Sequence, residues 1–252
     1  MFCTMKKAFL LIYPALFLLT LLPVSCQKDD PNPYESLSLK QKTADFEGTI
    51  LHEWFALAHE IITDNHLYGP HAARTYGYMG LTAWESVYPG IPGAQSLAGQ
   101  INDYPTAAPY ELSKEYNWEL VLCSAMRRVM PDVIDQTTSA QRSQIDLLAD
   151  QQAALVASRG IDDRVRANSE DLGLRISLKI LDRVRRDNRD VIRNIVPILP
   201  ERDSTHRWYW DRTTFNQSPV EPLWSTVRTF VTTSPQSCEP ESPLAYSELP
   251  SS

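Results

Sequence analysis

Glycine is scarce in this chain, nine residues in 252. Tight sheet turns and phosphate-cradling loops draw on glycine for its left-handed backbone, so the shortage points away from both. Basic charge is short as well: 24 Lys and Arg face 31 Asp and Glu, a net charge of −7. Non-specific nucleic-acid binding needs a net basic face, and no nucleic-acid partner is expected. Only four cysteines occur, Cys3, Cys26, Cys123 and Cys238, too few and too widely spaced for a disulfide framework. A Walker loop, a dinucleotide fingerprint, a nucleophile elbow and a cysteine metal cluster are all missing. What is present is ordinary globular composition, 43% apolar and 10% aromatic, with 18 prolines between helical patterns. The expected fold is all-α, without a sheet.

At the N-terminus Lys6-Lys7 precede an apolar run from Ala8 to Val24 that Pro14 and Pro23 interrupt. A membrane span needs about 20 continuous apolar residues, so residues 1–25 fit a cleaved secretion signal instead. Pro23-Val24-Ser25-Cys26 looks like a loose lipobox, after which a bacterial lipoprotein is cut and Cys26 acylated. The following Gln27-Lys28-Asp29-Asp30 resembles the acidic export signal of Bacteroidetes surface lipoproteins. The expectation is an exported lipoprotein at the outer membrane or cell surface, with the lipid bilayer as partner through Cys26. Residues 26–44, polar and Pro-containing, form a tether.

Residues 45–196 are expected to form one bundle domain of about five helices. Phe46, Ile50, Trp54, Leu57, Ala58, Ile61 and Ile62 recur at three- and four-residue steps, predicting a helix over Asp45–Asn65. A second runs from Pro70 to Tyr88 and is closed by Pro89-Gly90-Ile91-Pro92-Gly93. The spacing of Leu112, Tyr116, Leu120, Cys123 and Met126 predicts a third from near Pro109 to Val129, with Pro131 beyond its end. Thr138-Ser139 cap a fourth, Ala140–Ser158, stopped by Gly160. A fifth spans Asp162–Arg186. Residues 197–252 hold eight of the 18 prolines and the isolated aromatics Trp208, Tyr209, Trp210, Phe215, Trp224 and Phe230. They are expected to form an extended arm that either wraps the helices through its aromatics or leads into a catalytic domain, because 50 structureless residues are uncommon inside a compact domain.

Candidate chemistry is thin. His52, His59 and His66 recur every seven residues, which on one helix places them on one stripe but roughly 10 Å apart; zinc pairs on helices sit four apart, so a structural or solvated role is expected. His71 and His206 fall in loop-like contexts without a triad neighbour. Arg127-Arg128 and the run from Arg183 to Arg193 interleave with acids and fit solvated helix faces. Cys123, on an apolar helical face, fits a small buried hydrophobe. Trp208-Tyr209-Trp210 fit packing anchors of a Pro-rich arm better than a platform for stacking on a sugar, and a helical glycan-capture module of the cell surface that uses them is the alternative function.

At Trp54, Ala58 and Glu60, then Pro70, Ala72-Ala73-Arg74, Tyr76, Leu81, Ala83 and Glu85-Ser86-Val87, the sequence resembles the opening helices of the vanadium-dependent haloperoxidases, which belong with the acid phosphatases of the PAP2 superfamily. Downstream, Asn168-Ser169-Glu170-Asp171-Leu172-Gly173 through Ile180-Leu181 to Asp187 resembles the family's Ser/Gly helix ending in Asp. The arm from Trp208 through Pro222-Leu223-Trp224, Phe230, Pro235, Pro240, Pro243 and Tyr246-Ser247 resembles its link into the catalytic half. The resemblance spans about residues 46–248.

The family's oxyanion site uses a Lys followed by Arg-Pro, then Pro-Ser-Gly-His, then Ser-Arg with a downstream His and Asp. Here no Arg-Pro and no Ser-Gly-His occur, and Ser158-Arg159 has no His within the next 40 residues. The resemblance therefore implies a non-catalytic N-terminal scaffold that stops before the catalytic bundle, inactive alone. It carries no catalytic or cofactor-binding residue, whereas complete members hold vanadate. A separate catalytic half or a second copy is the expected protein partner. Within the resemblance, Arg74 is expected to make a structural contact with Glu60 on the preceding helix.

Overall fold

The computed structural model describes residues 42–67, 69–192 and 223–232. Among them are six helices and no strand, so the all-α expectation holds. α1 spans Thr49–Asp64, α2 Gly69–Val87, α3 Trp118–Val133, α4 Ser139–Ala157, α5 Asp163–Arg186 and the single turn α6 Arg189–Ile192. Three 3-10 turns cover Thr43–Asp45, Tyr88–Gly90 and Trp224–Thr226. No helix among the described residues is long and apolar enough to cross a membrane.

α3 is the axis of the bundle. Trp118, Leu120, Val121, Cys123, Ala125, Met126, Val129, Met130 and Val133 are all buried, and only Arg127, Arg128 and Asp132 are fully exposed. A helix apolar on nearly every side must be enclosed, and α5, α2 and α4 enclose it, α5 most extensively. The α3–α5 approach depends on Gly173, where a Cβ would lie 2.5 Å from the Val121 carbonyl oxygen and 2.6 Å from the Ser124 Cβ. Hydrogen bonds seal the same seam: Ser169 Oγ accepts the Asn117 N–H at 2.9 Å, and Ser124 Oγ donates to the Glu170 carbonyl at 2.9 Å. α1 adds one apolar stripe, Ile50, Trp54, Ala58, Ile61 and Ile62, at helical spacing.

Helix ends follow local chemistry. Thr138 and Gln141 form a reciprocal capping box at the start of α4, and Gly160, with φ +81°, follows its end. Asp162 Oδ1 accepts the Arg164 N–H at 2.8 Å to cap α5. Asn188, with φ +72°, terminates that helix in the left-handed conformation.

Two boundaries differ from expectation. α3 starts at Trp118, not near Pro109, because Asn117 Oδ1 caps it by accepting the Leu120 N–H at 3.0 Å. Upstream the chain turns back on itself, the Glu111 N–H donating to Tyr116 Oη at 3.0 Å. Pro131, expected beyond the helix, lies within its last turn. There its ring removes only the donor that would have served the carbonyl of Arg127, a residue on the solvent side.

Candidate functional site

α2 turns a polar face inward. His71, Arg74, Thr75, Tyr78, Thr82 and Glu85 follow one helical face and all are buried. Buried polar groups require partners, and those near its N-terminal end come from the ends of α3 and α5.

Asp187, the residue capping α5, is the hub. Its Oδ2 accepts from Arg74 Nε at 2.7 Å and from the Tyr78 hydroxyl at 2.8 Å, while Oδ1 accepts the Arg189 N–H at 3.1 Å. Tyr78 Oη in turn accepts from Arg183 Nη1 at 2.5 Å. Burial, and then the negative charge of Asp187, push the Tyr78 phenol well above its ordinary range, so it stays protonated as a donor. Arg183 is fully enclosed and spends its other nitrogens on the carbonyls of Asn102, at 2.8 Å, and Thr229, at 3.1 Å. Its guanidinium lies over the rings of Tyr78 and Phe230, 5.2 and 4.3 Å from their centroids.

A second cluster adjoins the first. Asp135 receives both His71 Nδ1, at 2.5 Å, and Arg189 Nη2, and all three side chains are buried. The Trp224 ring packs on the His71 ring at 4.9 Å, tilted by 58°. At the other end of α2, the Glu85 carboxylate accepts from Ser96 Oγ at 2.8 Å and from the Leu97 N–H at 2.8 Å, fixing the loop after the helix. Burial raises its pKa, partly offset by those donors.

Residues 223–232, termed the strap below, lie against these clusters. The Phe230 carbonyl accepts the Asn102 N–H at 2.8 Å, and the Arg228 N–H donates to the Asp187 carbonyl at 2.8 Å. Beside the strap a cleft of about 560 Å³ is lined by Asn102, Asp103, Arg186, Asn188, Thr226 and Arg228 among others. The Arg228 guanidinium pairs with Asp103, and Arg186 with Asp182 at 2.6 Å.

Several expectations are corrected. Arg74 is buried, but its partner is Asp187 and not Glu60; Glu60 is exposed on α1, while Arg74 lies on the α2 face turned toward α5. Arg183 and Arg189 are core residues, not part of a solvated face, although Arg185 and Arg186 are exposed as expected. Arg183 follows Ile176 by seven positions and Ile180 by three, the signal that it shares their inward stripe. His71 sits in the first turn of α2, not in a loop. His66 leaves the seven-residue stripe because it adopts φ +50° after α1 has ended. His52 and His59 are exposed, and His59 Nδ1 lies 3.1 Å from Tyr76 Oη. Among the described residues no cluster of His, Cys, Asp and Glu could hold a metal ion. Cys123 is buried and free, its Sγ donating to Gln152 Oε1 at 3.0 Å; burial pushes the thiol up to about 12, which leaves it unreactive. Cys26, His206 and Trp208-Tyr209-Trp210 lie outside the described residues.

No protein-family model matches the chain, and no curated protein matches it. Among solved structures it is similar to a bacterial vanadium-dependent iodoperoxidase, at 24% identity and a TM-score of 0.68. The match covers 81% of this chain and 47% of that one, so the chain spans about half the length of its structural neighbour. The two share a fold over that length.

Proposed function

We propose that this chain is the helical scaffold half of a vanadium-haloperoxidase-type or PAP2-phosphatase-type protein, exported as a lipoprotein, held to the bilayer through acylated Cys26, and without turnover of its own. The likeness of fold to half of an iodoperoxidase supports the first part. One observation supports the last. Two of the three buried arginines converge on carboxylates, Arg74 on Asp187 and Arg189, beside His71, on Asp135, and the third, Arg183, is taken up by the Tyr78 hydroxyl and the Asn102 and Thr229 carbonyls. A vanadate or phosphate group needs several N–H donors aimed at one open position. Set against these arginines it would instead meet Asp187 or Asp135 at close range, and like charges in a low-dielectric interior repel strongly. The described residues therefore do not fit the oxyanion. In this proposal its donors belong to a separate catalytic half, and the described helices position that half.

The test is a titration of the purified full-length chain with orthovanadate, followed by ⁵¹V NMR, beside a peroxide-dependent iodide oxidation assay. Neither stoichiometric binding nor turnover is expected. A bound vanadate resonance at one equivalent would overturn the scaffold assignment. Metabolic labelling with a palmitate analogue should tag the wild-type protein and leave Cys26→Ala untagged; equal labelling of both would remove the anchor.

A further inference from the structure

The strap and the surface beneath it are unequal partners. Below lie Arg74, Tyr78, Arg183 and Asp187, all buried and bonded to one another, together with His71 and Arg189. Above, none of residues 223–232 is buried, and Val231 is 70% exposed. A core element shares burial with its neighbours. A peptide on a groove does not: the groove is built beforehand and the peptide keeps one side in water.

The contacts have the form of peptide recognition as well. Arg183 Nη2 binds the Thr229 carbonyl, Asn102 binds the Phe230 carbonyl through its N–H, and Asn102 Nδ2 binds the Thr232 carbonyl at 2.8 Å. These bonds address the main chain and fix its register whatever the side chains. Two aromatic anchors supply selectivity. Trp224 covers His71. Phe230 enters a slot beside the Tyr78 ring, 5.0 Å between centroids, under the Arg183 guanidinium and over Gly77, where a Cβ would approach the Phe230 ring to 3.0 Å.

We propose that the surface formed by α2, the end of α5 and Asn102 is a peptide-recognition groove specific for an aromatic-x5-aromatic segment, occupied in cis by this chain's own residues 223–232. This does not rest on the scaffold assignment, and vanadate plays no part in it. Most of the groove's polar floor is satisfied without the strap, because Asp187 neutralises Arg74 and orients Tyr78, and Tyr78 accepts from Arg183, by contacts internal to the helices; the Arg183 contacts with the Thr229 carbonyl and the Phe230 ring depend on the strap. Residues 223–232 can therefore leave without unfolding the bundle, and the same segment supplied in trans can take their place. In cis the occupant enjoys an effective concentration in the millimolar range, so the wild-type groove is filled.

The experiment uses the full chain carrying Trp224→Ala and Phe230→Ala, and a fluorescein-labelled peptide of residues 223–232 followed by anisotropy. The variant should keep the wild-type far-UV circular dichroism and bind the peptide saturably, at least tenfold tighter than the wild type does. A peptide with its own Phe230→Ala change should bind at least tenfold more weakly, and so should the variant with Gly77→Leu added, whose side chain takes the space of the Phe230 ring, the group nearest to a Cβ at this position. Loss of helical structure in the doubly substituted chain would overturn the proposal, since a prebuilt groove survives removal of its occupant. So would a folded variant that binds the peptide no better than a scrambled sequence. A wild-type dimer that the peptide dissociates would overturn the cis assignment.

Discussion

Arg74 and Asp187 lie 113 positions apart in the chain and 2.7 Å apart in space, on side chains 6% and 1% exposed. Their ion pair joins the first turns of α2 to the end of α5, and it also orients Tyr78 and, through that hydroxyl, Arg183.

Removing either member strands the other in a desolvated site, at a cost of about 3–5 kcal/mol. Arg74→Ala and Asp187→Ala should each lower the free energy of urea unfolding by that amount, and the double variant should lose less than the sum. Glu60→Ala, at an exposed position, should stay within about 0.5 kcal/mol of wild type. Additive losses at Arg74 and Asp187 would mean that the two do not interact.

Stability should depend on pH through Glu85. Burial raises its carboxyl above the ordinary value of 4.5, so between 4.5 and the higher folded value the native state holds a proton that the unfolded chain has released. With more protons bound to the native state, unfolding free energy falls as pH rises through that window and is flat beyond it. Glu85→Gln keeps the acceptor for the Leu97 N–H and removes the titration. Urea unfolding followed upward from pH 4 should show a shallower decline for this variant, and identical profiles would exclude Glu85 as the source.

Two glycines on helices should answer oppositely to alanine. Gly80 on α2 is exposed, and a Cβ there meets nothing within 4 Å. Gly80→Ala should therefore stabilise by about 0.5–1 kcal/mol through helix propensity. Gly173→Ala gains the same propensity but drives a methyl onto the Val121 carbonyl and the Ser124 side chain, with a net loss of about 1–3 kcal/mol. Thermal unfolding of the two variants gives the signs directly.

Features governed by local chemistry were legible in the sequence. The α1 stripe at Ile50, Trp54, Ala58 and Ile61 follows from helical period alone, while the start of α4 follows from its Thr138 cap and the break after it from Gly160. The start of α3 misleads because Leu112 and Tyr116 continue its apolar spacing by coincidence, while the decisive group is a single capping oxygen on Asn117. Arg183 sits among Asp182, Arg185 and Arg186, all exposed, and charge pattern outweighs its register with Ile176 and Ile180. No local rule could pair Arg74 with Asp187 or His71 with Asp135. Those partners are set by how α2 crosses the ends of α3 and α5.

The polar face of α2 also fixes an order of events during synthesis. Translation proceeds at roughly 5–20 residues per second, so the 113 positions from Arg74 to Asp187 take on the order of ten seconds to make. Through that interval the α2 face turned toward α5 stays open, and water solvates the Arg74 guanidinium in place of Asp187. The counter-charge arrives only when α5 has emerged entire, which places the Arg74–Asp187 closure among the last steps of assembly.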